Sequence, residues 1–279
     1  MSFLIIAAVL PVIILCYYIY NKDTNKEPSY MLMKVFSKGL LTFIPIYIVE
    51  VGLNVFFDTT DVTSFLLIFV YTFFGVALVE EFFKWWVVYK HAYNSKEFDE
   101  VYDIIVYAVF VSLGFACIEN VLYVINNGLG NAIIRAISAV PGHMYFGVIM
   151  GFFLSKAKVA KFNKNSLVYR NNMIFSLLFP TLFHTMYDSL IFYCVNTEET
   201  AVIFLFIIFH VVSVILCIII INMTSKVQYN ITNKISEGII TVENGNVKVN
   251  EGTVKFNYCP ICGMKYNGGK YCGGCGRKF

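Results

Sequence analysis

The segment "VEEFFKWW", residues 79–86, places two adjacent carboxylates and an ammonium group inside a long run of apolar residues. Glu80 lies four residues before Lys84 and Glu81 three, so on a helix both glutamates meet the lysine. Because neighbouring residues are about 100° apart around a helix axis, one glutamate can face a bundle centre while the other pairs with Lys84. An ion pair that only neutralised itself would need one glutamate, and this segment has two.

Two further apolar segments each carry one ionisable group. In "GFACIENVLY", Glu119 is a lone intramembrane carboxyl, and ionisable residues inside spans are rare and usually functional. The alternative is a protonated carboxyl that bonds a neighbouring helix. In "AVPGHMYFGVIMGFF", His143 follows Pro141 and Gly142, where we expect the helix to loosen or kink.

A second histidine follows a proline in "FPTLFHTMYDSL". His184 and Asp188 are four residues apart and therefore share a helix face. A single histidine on an apolar face is more often a hydrogen-bonded core residue than a functional one. Two histidines together with three glutamates and an aspartate favour a common site.

Carboxylates and histidines together suit the activation of water. A glutamate can take the proton while a histidine orients the water or stabilises an oxyanion. No serine or cysteine pairs convincingly with these histidines, which disfavours covalent catalysis. Glu119, His143 and His184 could instead hold a catalytic zinc ion with an open position. The residue types leave both routes open, and we favour direct activation by a glutamate.

These groups must be positioned by membrane-spanning helices. The chain of 279 residues is 58% hydrophobic and only 14% charged, whereas soluble domains carry about 25% charged residues. Segments of about 20 apolar residues can cross a bilayer. Seven such segments are predicted, at residues 3–20, 35–57, 64–90, 101–125, 132–154, 173–194 and 202–222. The first lacks the basic region of a signal peptide and is interpreted as a retained helix.

The distribution of basic residues predicts the orientation of the chain. The loops at 21–34, 90–100 and 155–172 carry lysine or arginine, whereas those at 58–63, 126–131 and 195–201 carry none. Because positive loops remain in the cytoplasm, the N-terminus is predicted outside and the C-terminus inside. The fold class is thus an all-α polytopic membrane protein, with residues 1–222 as the membrane domain.

The tail after residue 222 has a different character. Residues 223–255 are predicted to be a linker with a β-hairpin around Asn244 and Gly245, a favoured turn pair. Residues 256–279 hold two Cys-x-x-Cys pairs, which suit a tetrahedral structural zinc ion. A cytoplasmic location disfavours the alternative of two disulfides. The predicted ligands are Cys259, Cys262, Cys272 and Cys275.

The motifs "EEFFK", "FACIE", "HMYFG" and "HTMYD" resemble, in order, those of the PrsW family of intramembrane proteases. This family belongs to the wider group of CAAX prenyl proteases and related bacterial immunity proteins, and the resemblance covers about residues 35–222. Prenyl proteases have EExxxR and FxxxH. Here Lys84 stands one position earlier and Glu119 replaces that histidine, which argues against prenylated substrates. The zinc ribbon lies outside the resemblance.

The resemblance implies a protease of the bacterial plasma membrane that cuts membrane-anchored proteins, in its best-known role a single-pass anti-sigma factor. It also implies a site built from Glu80, Glu81, Glu119, His143, His184 and Asp188. We expect Glu80, or else Glu81, to be the general base, and Lys84 to hold the other carboxylate. Glu119 and His143 would position water or metal, and His184, set by Asp188, would stabilise the oxyanion.

Two other classes of function stay open at this stage. A proton-coupled transporter or channel would use the same carboxylates and histidines as a proton relay. A non-catalytic membrane adaptor would act through the zinc ribbon. The expected partners are the lipid bilayer, a single-pass substrate and a cytoplasmic partner of the ribbon, with no nucleic acid.

Depth within the bilayer poses a problem for the site. At ~1.5 Å per residue, Glu80 lies ~24 Å below the outer end of its segment and Glu119 ~9 Å below the end of its own. A tilt, a kink or displaced helix boundaries must close this gap if both residues serve one site.

Overall fold

The computed structural model describes residues 2–54, 62–98, 100–162, 164–236, 240–243 and 246–249. The membrane domain is helical. Its α-helices are α1 (Ser2–Lys22), α2 (Ser29–Leu41), α3 (Phe43–Asn54), α4 (Phe65–Tyr71), α5 (Leu78–Val88), α6 (Asp103–Ile137), α7 (Ala139–Phe162), α8 (Ser166–Thr197) and α9 (Thr200–Ser236). Two π-helical turns, π1 (Thr72–Ala77) and π2 (Tyr89–Tyr93), flank α5.

Within the described residues, six helical segments are long and apolar enough to cross a membrane. They are Ser2–Lys22, Ser29–Leu53, Phe65–Tyr93, Asp103–Lys161, Ser166–Thr197 and Thr200–Lys226. The sequence predicted seven, because the 59 residues from Asp103 to Lys161 were read as two spans. Large apolar side chains are exposed along these segments, as expected for helices that face lipid.

The 59-residue segment reverses direction between α6 and α7. Gly128 has a φ of +79°, which breaks α6 internally and which glycine adopts without a steric penalty. Ser138 separates α6 from α7. A Cβ built on Gly147 would lie 2.9 Å from Val109, and one on Gly151 would lie 2.5 Å from Ile105. Gly151 follows Gly147 on α7, whereas its contact Ile105 precedes Val109 on α6. The two helices therefore pack as an antiparallel hairpin.

This hairpin corrects three sequence expectations. Residues 126–131 are helical around the break at Gly128 rather than a plain loop. The helix that carries His143 begins at Ala139, not at residue 132. Pro141 therefore lies in the first turn of α7, where its missing N–H costs nothing, and it does not kink the helix.

Helix α6 forms the centre of the bundle, and its first half is buried almost completely. Helices α1, α2 and α7 pack around it. A Cβ on Gly39 would lie 2.1 Å from the Val111 carbonyl oxygen, and one on Gly114 would lie 2.3 Å from that of Phe36. Helices α2 and α6 therefore approach so closely that only glycine fits at these two positions.

The predicted second span corresponds to one apolar segment, Ser29–Leu53, which consists of two helices. Helix α2 ends at Leu41 and α3 begins at Phe43. Pro45 explains the break, because it has no N–H to offer the carbonyl of Leu41. The Thr42 hydroxyl donates a hydrogen bond of 2.6 Å to the Gly39 carbonyl, one of the carbonyl groups in the last turn of α2.

The tail begins as a continuation of α9, which extends to Ser236 beyond the predicted boundary at residue 222. Strands β1 (Ile240–Glu243) and β2 (Asn246–Val249) pair antiparallel, with Glu243 opposite Asn246. This pairing places a hairpin where the Asn-Gly pair predicts one. The four cysteines of the predicted zinc ribbon lie outside the described residues, so the ribbon stays a prediction.

Candidate active site

The two glutamates of α5 share one lysine. The Lys84 ammonium donates hydrogen bonds of 2.8 Å to Glu80 Oε2 and 2.8 Å to Glu81 Oε1. Lys84 and Glu81 are fully buried, and Glu80 is 5% exposed. Both glutamates therefore meet the lysine, as their spacing predicts, and Lys84 does not hold only the one that is not the general base. Glu80 is the member of the pair that remains accessible.

Local helix geometry sets up this face of α5. The π1 turn lies immediately before Leu78 and holds more residues than an α-helical turn. It therefore changes the direction in which the side chains of α5 point around the helix axis. Thr72, the first residue of π1, bonds the Ile68 carbonyl and contacts the Ser189 hydroxyl at 2.6 Å. The π1 turn is thereby tied to α8, next to Asp188.

Helix α8 contributes a histidine placed between two carboxylates. His184 Nδ1 lies 3.0 Å from Glu81 Oε1 and 4.0 Å from Glu80 Oε2. His184 Nε2 lies 3.3 Å from Asp188 Oδ2, one turn later on the same helix. The shared face of His184 and Asp188 is thus as predicted, and the ring also connects α8 to α5.

Helix α7 contributes the second histidine on the other side of Lys84. The Lys84 ammonium lies 3.2 Å from His143 Nδ1, and His143 Nε2 lies 2.9 Å from Glu119 Oε2. The two imidazole rings are perpendicular, with centroids 5.6 Å apart. Phe146 stacks on His184 with a centroid distance of 4.4 Å, so both rings are held in place.

These contacts resolve the depth problem. Glu80 and Glu119 need not meet, because Lys84 and His143 lie between them in a continuous chain of hydrogen bonds. The Phe115 ring also lies 4.4 Å from the Lys84 ammonium and packs edge-on against His143. All seven residues predicted for the site therefore belong to one connected cluster.

Arg135 is the member of this cluster that sequence spacing missed. Its Nη2 donates a hydrogen bond of 2.7 Å to Glu119 Oε2, and its Nε donates one of 2.8 Å to Asn120 Oδ1. Arg135 and Glu119 are sixteen positions apart, and no helical periodicity relates them. The only signal in the sequence is a lone arginine inside an otherwise apolar segment.

Two other intramembrane groups lie nearby. Glu50 on α3 lies within electrostatic range of Glu80, Glu119, His184 and Asp188. His210 on α9 donates from Nε2 to the Ile137 carbonyl over 3.0 Å.

Three groups of the cluster lie close enough to share a metal ion. One oxygen of Glu80, one of Glu81 and one nitrogen of His184 all lie within 4.8 Å of one another. Glu81 Oε2 is buried and has no hydrogen-bond partner in the described part of the chain. Carboxylate oxygens and imidazole nitrogens are both ligands that zinc accepts in proteins. Of the three ligands considered from sequence, only His184 belongs to this group.

The charges of the cluster also fit a divalent cation. Four carboxylates face two permanent cations, Lys84 and Arg135, which leaves two negative charges when both imidazoles are neutral. Buried charge is costly unless it is compensated. Asp188 on His184 Nε2 matches the carboxylate that commonly orients a metal-bound histidine.

The helices and the buried polar cluster define a polytopic membrane protein with several ionisable side chains in its helical core. The model of the family described as PrsW family intramembrane metalloprotease matches residues 27–221. The chain belongs to this family. It is an intramembrane protease of the bacterial plasma membrane, as predicted.

Curated relatives support the same assignment. The chain is 40% identical over 185 residues to "Protease PrsW" of Oceanobacillus iheyensis, covering 66% of this chain and 81% of the relative. It is 36% identical over 189 residues to "Protease PrsW" of Bacillus subtilis, covering 67% and 82%. The protein of that name from Clostridioides difficile is 32% identical over 197 residues, covering 67% and 79%. No solved structure matches this chain.

Proposed function

We propose that this protein hydrolyses a peptide bond of a single-pass membrane protein, of which an anti-sigma factor is one example, at a site centred on Glu80, Glu81 and His184. The observation that carries the proposal is the convergence of these three side chains within 4.8 Å. A proton relay needs titratable groups in a row, but it does not need two carboxylates and an imidazole that surround one point.

Each residue has a role that follows from its contacts. Glu80 is the more accessible glutamate and is placed to take a proton from the attacking water. Lys84 offsets the charge of both glutamates. Asp188 orients His184, whose other nitrogen faces the reaction centre. Glu119 and His143 hold Lys84 from the opposite side.

The donor set fits a metal-dependent protease, which is how the family is described. Glu80, Glu81 and His184 would hold the ion, and a metal bound there would supply Lewis-acid chemistry for water activation and for the scissile carbonyl. Without an ion, His184 would donate to the oxyanion and the water would be activated by Glu80 alone. Both routes use Glu80 and His184, whereas Glu81 would be a metal ligand in the first route and a neighbour that sets the position of Lys84 and His184 in the second.

The test is cleavage of a single-pass substrate by the purified protein in liposomes. Glu80→Gln, Glu81→Gln and His184→Ala should each lower the cleavage rate at least 100-fold, that is by ~3 kcal/mol of transition-state stabilisation. Glu199→Gln is the matched control, because Glu199 is exposed at the start of α9. Full cleavage by all three site variants would refute the site.

Metal analysis separates the two metal sites. A variant that lacks residues 237–279 keeps all of α9 but loses the four cysteines. We expect the intact chain to hold one more zinc ion than this variant. Metal that remains in the variant and is lost in His184→Ala belongs to the site at Glu80, Glu81 and His184. A variant without metal that still cleaves would favour activation by Glu80 alone.

The orientation is proposed as N-terminus outside and zinc ribbon in the cytoplasm. Contacts among the basic ends of the helices support it. Lys22 bonds Asn222 at 3.3 Å, and Lys158 donates to the Tyr93 carbonyl over 3.0 Å. The lysine-bearing ends of α1 and α7 thus meet the ends of α9 and π2 that are predicted to be cytoplasmic.

A further inference from the structure

Arg135 lies on the part of α6 that follows the break at Gly128. The reversal of the chain brings it back onto Glu119 and Asn120, which it bonds through two different nitrogens at 2.7 Å and 2.8 Å. Its guanidinium also lies 4.1 Å from the centroid of the Tyr123 ring. The Arg135 side chain is 12% exposed, so this ion pair is largely shielded from solvent.

Asn120 fixes the other side of this arrangement. Its Nδ2 donates a hydrogen bond of 2.7 Å to the Ala8 carbonyl on α1. Because Asn120 Oδ1 accepts from Arg135, the guanidinium is connected to α1 as well as to α6. Arg135 is therefore held in one orientation by Asn120, which is not one of the predicted site residues, as well as by Glu119.

The contacts of His143 define one tautomer. Lysine only donates hydrogen bonds, so His143 Nδ1 must accept from Lys84. The proton of a neutral imidazole then resides on Nε2, which donates to Glu119 Oε2. Glu119 can accept this bond while it is a carboxylate, and Arg135 supplies the positive charge that keeps the buried carboxylate ionised.

We propose that Arg135 is a positioning residue of the active site, whose guanidinium fixes Glu119 and through it holds His143 in the tautomer that accepts from Lys84. The inference rests on the proposed function for its effect on catalysis, but not for its effect on the imidazole. Without Arg135, the His143 ring loses its fixed acceptor, and Lys84 loses one of the three groups that hold it between the glutamates.

The first experiment reads the tautomer directly. The chain has four histidines, so the protein labelled with ¹⁵N at the imidazole gives few signals, and His143→Gln assigns the one of interest. In the wild type, His143 should show a proton on Nε2 and none on Nδ1. In Arg135→Ala this signal should become an average of the two tautomers. An unchanged His143 signal would overturn the proposal.

Arg135→Lys guards against a simple loss of folding, because it keeps the charge. Lysine offers one nitrogen and cannot span Glu119 and Asn120 as two guanidinium nitrogens do. We expect this variant to match the wild type in gel-filtration elution and in thermal midpoint. Its His143 signal should be a partial average of the two tautomers. Arg170→Lys and Arg170→Ala are the matched controls, because Arg170 is exposed in the first turn of α8. Neither should change the signal.

The second experiment measures cleavage. Residues that orient active-site groups typically contribute roughly 10–100-fold, and Arg135→Ala should lower kcat by this factor with little change in KM. Arg135→Ala and Glu119→Gln should be strongly non-additive, because both break the same connection. Additive losses would contradict the proposal. A wild type that cleaves nothing would sink the proposed function and leave the tautomer experiment valid.

Discussion

At the scale of single residues, the feature that organises the site is a lysine with all three donors in use. The ammonium of Lys84 contacts Glu80, Glu81 and His143, and it lies over the Phe115 ring. The side chain is completely buried. A buried ammonium group is stable only because its partners offset its charge and accept its hydrogen bonds. The buried glutamates depend in turn on the positive charge of Lys84.

Lys84→Met tests this mutual dependence. Removing the cation leaves two carboxylates buried without compensation, and breaking a buried ion pair in this way typically costs about 3–5 kcal/mol. The measurement is the free energy of unfolding in detergent. Lys161→Met is the control, because Lys161 is exposed in the last turn of α7. If both variants were equally stable, Lys84 would not carry the role assigned to it.

Asp188→Asn tests how much the orientation of His184 matters. An amide keeps the size of the side chain but loses the charge that faces Nε2 at 3.3 Å. We expect kcat for cleavage to fall roughly 10–100-fold while the protein remains folded. A variant with wild-type kcat would show that Phe146 stacking and the Glu81 contact suffice to orient the ring.

At the scale of helices, close approach positions the site. Helix α6 carries Glu119, and α7 carries His143. The two helices meet backbone to backbone at Gly147 and Gly151. Because Gly151 lies two turns after His143 on α7, the contact that joins these helices also sets the distance between His143 and Glu119.

Gly151→Ala tests this contact. The added methyl group would lie 2.5 Å from Ile105 Cα, which is backbone and cannot move aside. Overpacking of this kind costs about 1–3 kcal/mol, and the thermal midpoint in detergent should fall accordingly. Gly52→Ala is the control, since no atom lies within 4 Å of a Cβ there. Alanine in that helix should leave the protein as stable or up to about 1 kcal/mol more stable. Equal midpoints for the two variants would contradict the argument.

At the scale of the whole molecule, charged side chains lie in two places, in the buried cluster of the core and at the ends of the helices. The buried polar cluster is enclosed by helices whose outer faces carry exposed apolar side chains, whereas lysines lie mostly at helix ends. A bilayer therefore constrains the protein in two ways. Its thickness sets the length of the apolar segments, and the basic residues determine which ends of these segments stay in the cytoplasm.

The orientation can be measured with an impermeant thiol reagent on intact cells, in a cysteine-free background. Glu198→Cys lies between α8 and α9, in a loop without basic residues, and should react from outside. Lys164→Cys lies between α7 and α8 and should react only after permeabilisation. The reverse pattern of labelling would invert the proposed topology and move the zinc ribbon outside.

Much of the site could be predicted from the sequence because its short-range relations are local. The i, i+4 pairs Glu80–Lys84 and His184–Asp188 follow from helix geometry alone, and both occur. Pro141 was misjudged because the same residue kinks a helix interior or begins a helix. The choice between these depended on the boundary at Ala139, which is set by the reversal of the chain.

By itself, the sequence determined the helical membrane architecture, the buried polar residues and which of them share a helix face, since apolar length and helical periodicity are local properties. Only the tertiary structure decided the contacts between helices. His184 reaches Glu81 across 103 positions, His143 reaches Lys84 across 59, and Arg135 returns to Glu119 across the break at Gly128. These pairings depend on how closely helices pack, and no spacing along one chain encodes that distance.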